Sequence, residues 1–112
     1  MESTETQFLT LLSNAGAARS SYIEAVSYAE KKDFEKASEL IKEGDKLYAE
    51  GHKVHFKMIQ KESAGQKNEL SLLLIHAEDL LIGAEMFKIV AESFIRVYKN
   101  MNDEINALKG IQ

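Results

Sequence analysis

Apolar residues recur three or four positions apart along almost the whole chain, the spacing of one face of an α-helix. The pattern falls into three segments. The first runs from about Ser3 to Lys31 and carries the stripe Phe8, Leu11, Ala15, Ala18, Tyr22, Ala25 and Ala29. Ser3 or Thr4 can cap it, because a side-chain oxygen there accepts from first-turn N–H groups that lack a partner. The second runs from about Asp33 to Glu62, with Asp33 as its N-cap and the stripe Ala37, Leu40, Gly44, Leu47, Gly51, Val54 and Met58. Glycine inside a helix costs roughly 1 kcal/mol against alanine, so Gly44 and Gly51 are expected where a neighbouring helix approaches closely. Ser63 to Lys67 reads as a loop with Gly65 as a helix terminator, and the third helix starts near Glu69 behind an Asn68 cap. Lys109 to Gln112 is expected to fray. There is no proline to interrupt any helix, and no useful β alternation. The expected fold is all-α, one domain over residues 1–112 with helices over about 3–31, 33–62 and 69–107. Short connections make neighbours antiparallel, which gives a three-helix up-down-up bundle.

The third helix carries more apolar surface than one bundle can cover. One seam runs through Leu70, Leu73, Ala77, Leu80, Ala84, Phe87, Ala91, Phe94, Tyr98, Met101, Ile105 and Leu108. A second runs beside it through Leu72, His76, Asp79, Gly83, Met86, Val90, Ser93 and Val97. Ser71, Glu78, Glu85, Lys88, Glu92, Arg96 and Lys99 share an arc read as the solvent face, roughly opposite His76 and Asp79. The first seam serves the other two helices. The second would be left exposed, and an exposed apolar stripe marks an interface. Self-association through third helices meeting about a symmetry axis would bury it. The periodicity serves a dimer and a trimer alike.

Composition narrows the function classes. The net charge is −4, so the basic patch that phosphate neutralisation requires is missing and no nucleic-acid partner is expected. No cysteine is present, which excludes disulfides and thiolate metal sites within the chain. The polar, acidic start does not read as a signal peptide, and no apolar run is long enough to insert in a membrane. No Ser-His-Asp arrangement, phosphate-cradling glycine loop or prominent pair of glycosidase carboxylates is legible. Candidate chemistry therefore rests on the histidines. A lone histidine on an apolar face is more often structural, but His76 also suits a nucleophilic imidazole that takes up a phosphoryl group. Asp79 reads as an ordinary hydrogen-bonded carboxylate, as a partner orienting His76 from one turn away, or as a hard oxygen ligand for a cation. His52 and His55 have ligand-like spacing but no third ligand spaced with them, and read first as solvated or structural. Arg19 reads as a packing or surface residue, with a phosphoryl contact as the lesser reading.

From AGAARS in the first helix, DFEKA opening the second and LLIHAEDLL in the third, the chain resembles a known family. It is the enzyme IIA component of the lactose/cellobiose (lactose/N,N'-diacetylchitobiose) class of the bacterial sugar phosphotransferase system. The similarity spans about Leu11 to Tyr98. It implies a homotrimer built through the third helix, with the phosphorylated histidine falling on His76 and a metal-binding aspartate at the axis falling on Asp79. Oxygen ligation implies one structural Mg²⁺ per trimer. The implied partners are the histidine-containing phosphocarrier protein as donor and a cysteine of the cognate IIB component as acceptor. The implied role is cytoplasmic, in uptake of a lactose- or cellobiose-type disaccharide. Where the family usually reads His-Ala-Gln-Asp-His-Leu, this chain has Glu78 for the glutamine and Leu80 for the second histidine. In the second helix His55-Phe56 stands where Gln-Thr is common. The alternatives from other classes are a non-catalytic trimeric helical adaptor and a metal-binding bundle using His52, His55 and Asp79.

Overall fold

The computed structural model describes residues 3–110. Among them three helices form: α1 (Thr4–Glu30), α2 (Phe34–Ser63) and α3 (Leu72–Leu108). The Ser3 side chain caps α1 by accepting from the Thr6 N–H, and Asp33 caps α2 by accepting from the Lys36 N–H. At the end of α2 the Gly65 N–H bonds the Glu62 carbonyl and the Gln66 N–H bonds the Lys61 carbonyl. This terminator needs a left-handed residue, and Gly65 supplies it at φ 88°. The α1–α2 turn uses the same pair of bonds with Lys32 in that position, at φ 69°.

The α3 cap differs from expectation. Ser71 accepts from the Leu74 N–H, so the helix begins at Leu72 and not near Glu69. Asn68 is occupied elsewhere: its amide donates to the Met58 carbonyl and ties the loop to α2. Of the tail expected to fray, Lys109 caps α3 and Gly110 has φ 73°, while residues 111–112 lie outside the described residues.

The helices run up, down and up. The amino-terminal half of α1 packs Phe8, Leu11 and Ala15 against Met58 of α2 and Leu74, Ala77 and Leu81 of α3. At the other end Ala25 and Ala29 meet Ala37 and Leu40, with Ile95 and Tyr98 alongside. The α1 stripe is buried as expected along its full length. On α3 the buried line is Leu74, Ala77, Leu81, Ala84 and Ala91. Leu73 and Leu80, placed on the covered seam by periodicity, are half-buried, and Phe94 and Met101 are largely exposed. With apolar residues around much of the α3 circumference, spacing alone leaves the helix free to rotate. Contact with α1 selects the line.

Gly44 and Gly51 separate in meaning. A methyl group on Gly44 would stand 2.5 Å from the Tyr22 ring, which is 1% exposed and has its hydroxyl bonded to Asp45 at 2.6 Å. A methyl group on Gly51 would meet its nearest neighbours at 3.5 to 3.7 Å, an ordinary contact. Gly44→Ala is therefore expected to cost about 2 kcal/mol, because overpacking a pinned ring outweighs the helix-propensity gain. Gly51→Ala is expected to stabilise by up to about 1 kcal/mol. Urea melts of the two variants check the pair, and equal signs would contradict the packing account.

Tyr22 also predicts how the bundle responds to alkali. It donates to Asp45, and Lys88 of α3 reaches the same carboxylate oxygen at 3.0 Å, so one network joins all three helices. Burial first, then the bond to Asp45, push the Tyr22 phenol well above the ordinary tyrosine value. The bond to Asp45 raises Lys88 as well, and burial raises Tyr48. Each group binds its proton more tightly folded than unfolded. Their contribution is complete below pH ~10 and is lost as pH climbs above it. Tyr22→Phe should cost about 1.5 kcal/mol at neutral pH through the lost hydrogen bond. It should then lose less stability than the unmutated chain between pH ~8 and ~11, since its unfolded state has no phenol at that position to release a proton that the fold retains. Thermal melts across that range decide the matter. An equal alkaline loss in both proteins would remove Tyr22 from the account.

Candidate functional site

The exposed face of α3 holds the candidate site. Leu72 is 82% exposed, Ile82 61% and Met86 57%, and Ile75, Ile89, Val90 and Val97 continue the stripe. Burying a large aliphatic side chain is worth roughly 1.5–3 kcal/mol, so a row of them in water is a standing drive toward association. The second seam read from the sequence is thus an uncovered apolar stripe in the single chain. Its centre is shifted. Ile75, Ile82 and Ile89, evenly spaced by sevens, belong to it beside the positions that the expected seam contains. Gly83 and Ser93 sit at its half-buried edge.

His76 and Asp79 both lie exposed on this part of α3, near its amino-terminal end. Among the described residues neither makes a hydrogen bond or an ion pair, to each other or to any other side chain. The orienting role considered for Asp79 therefore has no bond behind it within one chain. What the position offers is an exposed imidazole and, one turn away, an exposed carboxylate without a side-chain partner among the described residues. A carboxylate on an apolar stripe is costly once the stripe is covered, unless a cation or a proton neutralises it.

The arc read as the solvent face is one only in part: Glu85, Arg96 and Lys99 are exposed, while Glu78, Lys88 and Glu92 are half-buried. Glu78 accepts from His55 Nδ1 of α2 at 2.7 Å, and both side chains are about three-quarters covered. Tyr48 donates to Glu85 at 3.4 Å, and Lys88 pairs with Asp45. Beside the apolar packing of Met58 with Leu74 and Leu81, part of the α2–α3 contact runs through polar side chains, a pattern indistinguishable in sequence from a solvated face. The two departures noted at positions 55 and 78 meet here, which could not be seen along the chain.

His52 lies beside His55, with ring centres 5.9 Å apart, over a shallow groove lined also by Tyr48, Glu78 and Glu85. Asp79 does not line that groove. Among the described residues no three His, Cys, Asp or Glu gather so as to hold a metal ion, so the bundle that binds metal through His52, His55 and Asp79 is not what this fold assembles. Arg19 stacks on the Phe87 ring at 5.1 Å, the packing role expected of it. Among the described residues no helix is long and apolar enough to cross a membrane.

Comparison with known proteins agrees with this arrangement. The chain is 34% identical over 92 residues to the oligo-β-mannoside-specific EIIA component of the PTS system of Bacillus subtilis (strain 168), covering 82% of this chain and 84% of that protein. It is 33% identical over 101 residues to the lactose-specific EIIA component of Staphylococcus aureus (strain N315), covering 88% and 98%. The crystal structure of the PTS cellobiose-specific enzyme IIA from Bacillus anthracis superposes with a TM-score of 0.88 at 35% identity, over 92% of this chain and 94% of that one. A family model described as the PTS system lactose/cellobiose-specific IIA subunit matches residues 6–99, from the first turn of α1 to the stretch of α3 that still packs on the bundle, and the chain belongs to that family.

Proposed function

We propose that the chain is a phosphocarrier whose reactive group is the imidazole of His76. The observation that carries the reading is an exposed histidine, its side chain without a hydrogen bond or ion pair among the described residues, on a helix face that is apolar apart from His76 and Asp79. A ring nitrogen of His76 attacks the phosphorus of a phosphohistidine on the histidine-containing phosphocarrier protein. The new N–P bond forms as the donor's N–P bond breaks, and the donor's nitrogen keeps the electron pair. In the second transfer a thiolate of the cognate IIB component attacks the same phosphorus. An S–P bond forms, and His76 recovers its lone pair. Phosphoryl transfer of this kind needs alignment and charge stabilisation more than covalent help, so an accessible nucleophile on a rigid helix suits it. The route ends in cytoplasmic delivery of phosphate to an incoming lactose- or cellobiose-type disaccharide. The relatives at similar identity are named for different sugars, oligo-β-mannoside and lactose.

The assembly proposed is a homotrimer with the α3 stripes at its centre. One Asp79 per chain then approaches the axis, and three such carboxylates suit a hard divalent cation, Mg²⁺, held by oxygen. The ion would neutralise the cluster, and its role is structural. Asp79→Leu is expected to stay trimeric and bind no axial ion, since exchanging a buried charged cluster for apolar side chains is often neutral or stabilising. Light scattering together with elemental analysis tests this. A dissociated variant, or an unmutated trimer without metal in added Mg²⁺, sinks the axial-ion account.

The function is tested by incubation with the phosphorylated donor. Phosphate that is labile in acid and stable in base should appear at one per chain. A non-catalytic adaptor would take up none, and nothing in that reading accounts for His76.

A further inference from the structure

The third helix outruns the bundle. Tyr98 packs beside Ala29 and Ala37, and Lys99 reaches back over the Phe34 ring at 5.5 Å. Among the described residues no packed core cluster includes a later one. Residues 100–108 continue as helix for about 14 Å past the α1–α2 turn. They also lie beyond residues 6–99, the stretch that the family model matches.

In this overhang the two faces of α3 part ways. On the bundle side, Ala91 is buried and Ile95 packs beside Ala29 and Leu40. Eleven residues make three turns and return to nearly the same side of a helix. Eleven after Ala91 and Ile95 stand Asn102 and Asn106, so that line turns polar once the other helices have ended. The outer line does not. Ile75, Met86, Val97 and Leu108 follow one another by elevens, with Val90 and Met101, also eleven apart, beside them. Met101 is 51% exposed and Leu108 89%. By contrast, the line by sevens through Ile75, Ile82 and Ile89 runs out at Arg96 and Asp103. The outer face thus stays apolar where nothing in the chain is left to cover it. Most of a helix's stability in a protein comes from packing such a face.

We propose that residues 100–108 are an interaction surface for two further copies of this chain, closing a three-helix clamp at the free end of α3. The proposal rests on the trimer reading, which sets third helices side by side and parallel about an axis. Symmetry then holds the three overhangs at the same height. The unbroken line by elevens keeps their apolar faces turned toward one another, so Met101 and Leu108 of each chain are covered by those of its neighbours. An eleven-residue repeat gives a right-handed supercoil rather than the left-handed coil of sevens, and the helices need not part beyond Val97. Met101 is about 38 Å along the axis from His76, so the clamp leaves free the end that phosphoryl partners must reach.

Hydrogen exchange of the 100–108 backbone, read by mass spectrometry in the full chain and in Met86→Lys, tests the clamp. These amides should exchange about tenfold more slowly, or slower still, in the trimer than in the monomeric variant. A second measurement uses Met101→Gln combined with Leu108→Gln. Glutamine is close to methionine and leucine in helix propensity, and both positions are more than half exposed in the single chain, so the bundle itself is untouched. Burying a large aliphatic side chain shifts an equilibrium by roughly 10- to 100-fold, so the concentration at which half the chains associate should rise by about tenfold or more. A trimeric parent whose overhang amides exchange as fast as those of Met86→Lys overturns the proposal and leaves the rest of the α3 seam standing. So does an unchanged association midpoint in the glutamine variant. A parent that stays monomeric at every concentration overturns the trimer reading and the clamp together.

Discussion

His76→Ala is expected to yield a folded bundle that accepts no phosphate from the phosphorylated donor. The two halves of this outcome have separate physical grounds. The imidazole is exposed and bonds to nothing among the described residues, so its removal breaks no internal contact. Alanine also has the higher helix propensity, by several tenths of a kcal/mol, and α3 should melt no earlier than before. The chemical loss is total because alanine offers no lone pair and water is no substitute for a carrier nucleophile. His52 and His55 serve as internal controls, since each remains a histidine in the variant. Mass spectrometry of the intact chain after exposure to the donor gives the answer. Normal stoichiometry in the variant would mean that another residue is the acceptor.

Met86→Lys is expected to convert an associated protein into a monomer. Met86 is 57% exposed in the single chain, so a lysine there reaches water and the bundle itself is not disturbed. In a trimer closed by the α3 stripe, the same position turns inward beside Ile82 and Ile89. Three ammonium groups would be brought together without counter-charges, at a cost of several kcal/mol for each ion taken out of water. Lysine can extend to relieve part of that, but the stripe gives it no acid to meet nearer than Asp79, two turns away. Sedimentation or light scattering should show a single chain's mass for the variant and three for the parent, with unchanged helicity. A monomeric parent, or a trimeric variant, would refute the association surface.

The helices, their order and the buried stripe of α1 were legible in the sequence because each rests on local rules. A 3.6-residue period needs only the chain itself, and the caps Ser3 and Asp33 act within one turn. The presence of a surplus apolar face on α3, with a histidine and an aspartate on it, was equally a matter of spacing. Three things were not. The cap of α3 is Ser71 because Asn68, an equally good cap former, spends its amide on Met58, ten residues earlier in the chain. The rotation of α3 is set by the close approach of α1, which takes in Leu74 and Leu81 and turns Ile75 and Ile82 outward. Glu78, Glu85 and Lys88 find partners on α2, although hydropathy alone assigns such residues to water. Periodicity reports how apolar a face is, but whether a polar face meets water or another polar face depends on distances between residues far apart in sequence. The tertiary structure alone supplies those, and with them the pairing of His55 with Glu78.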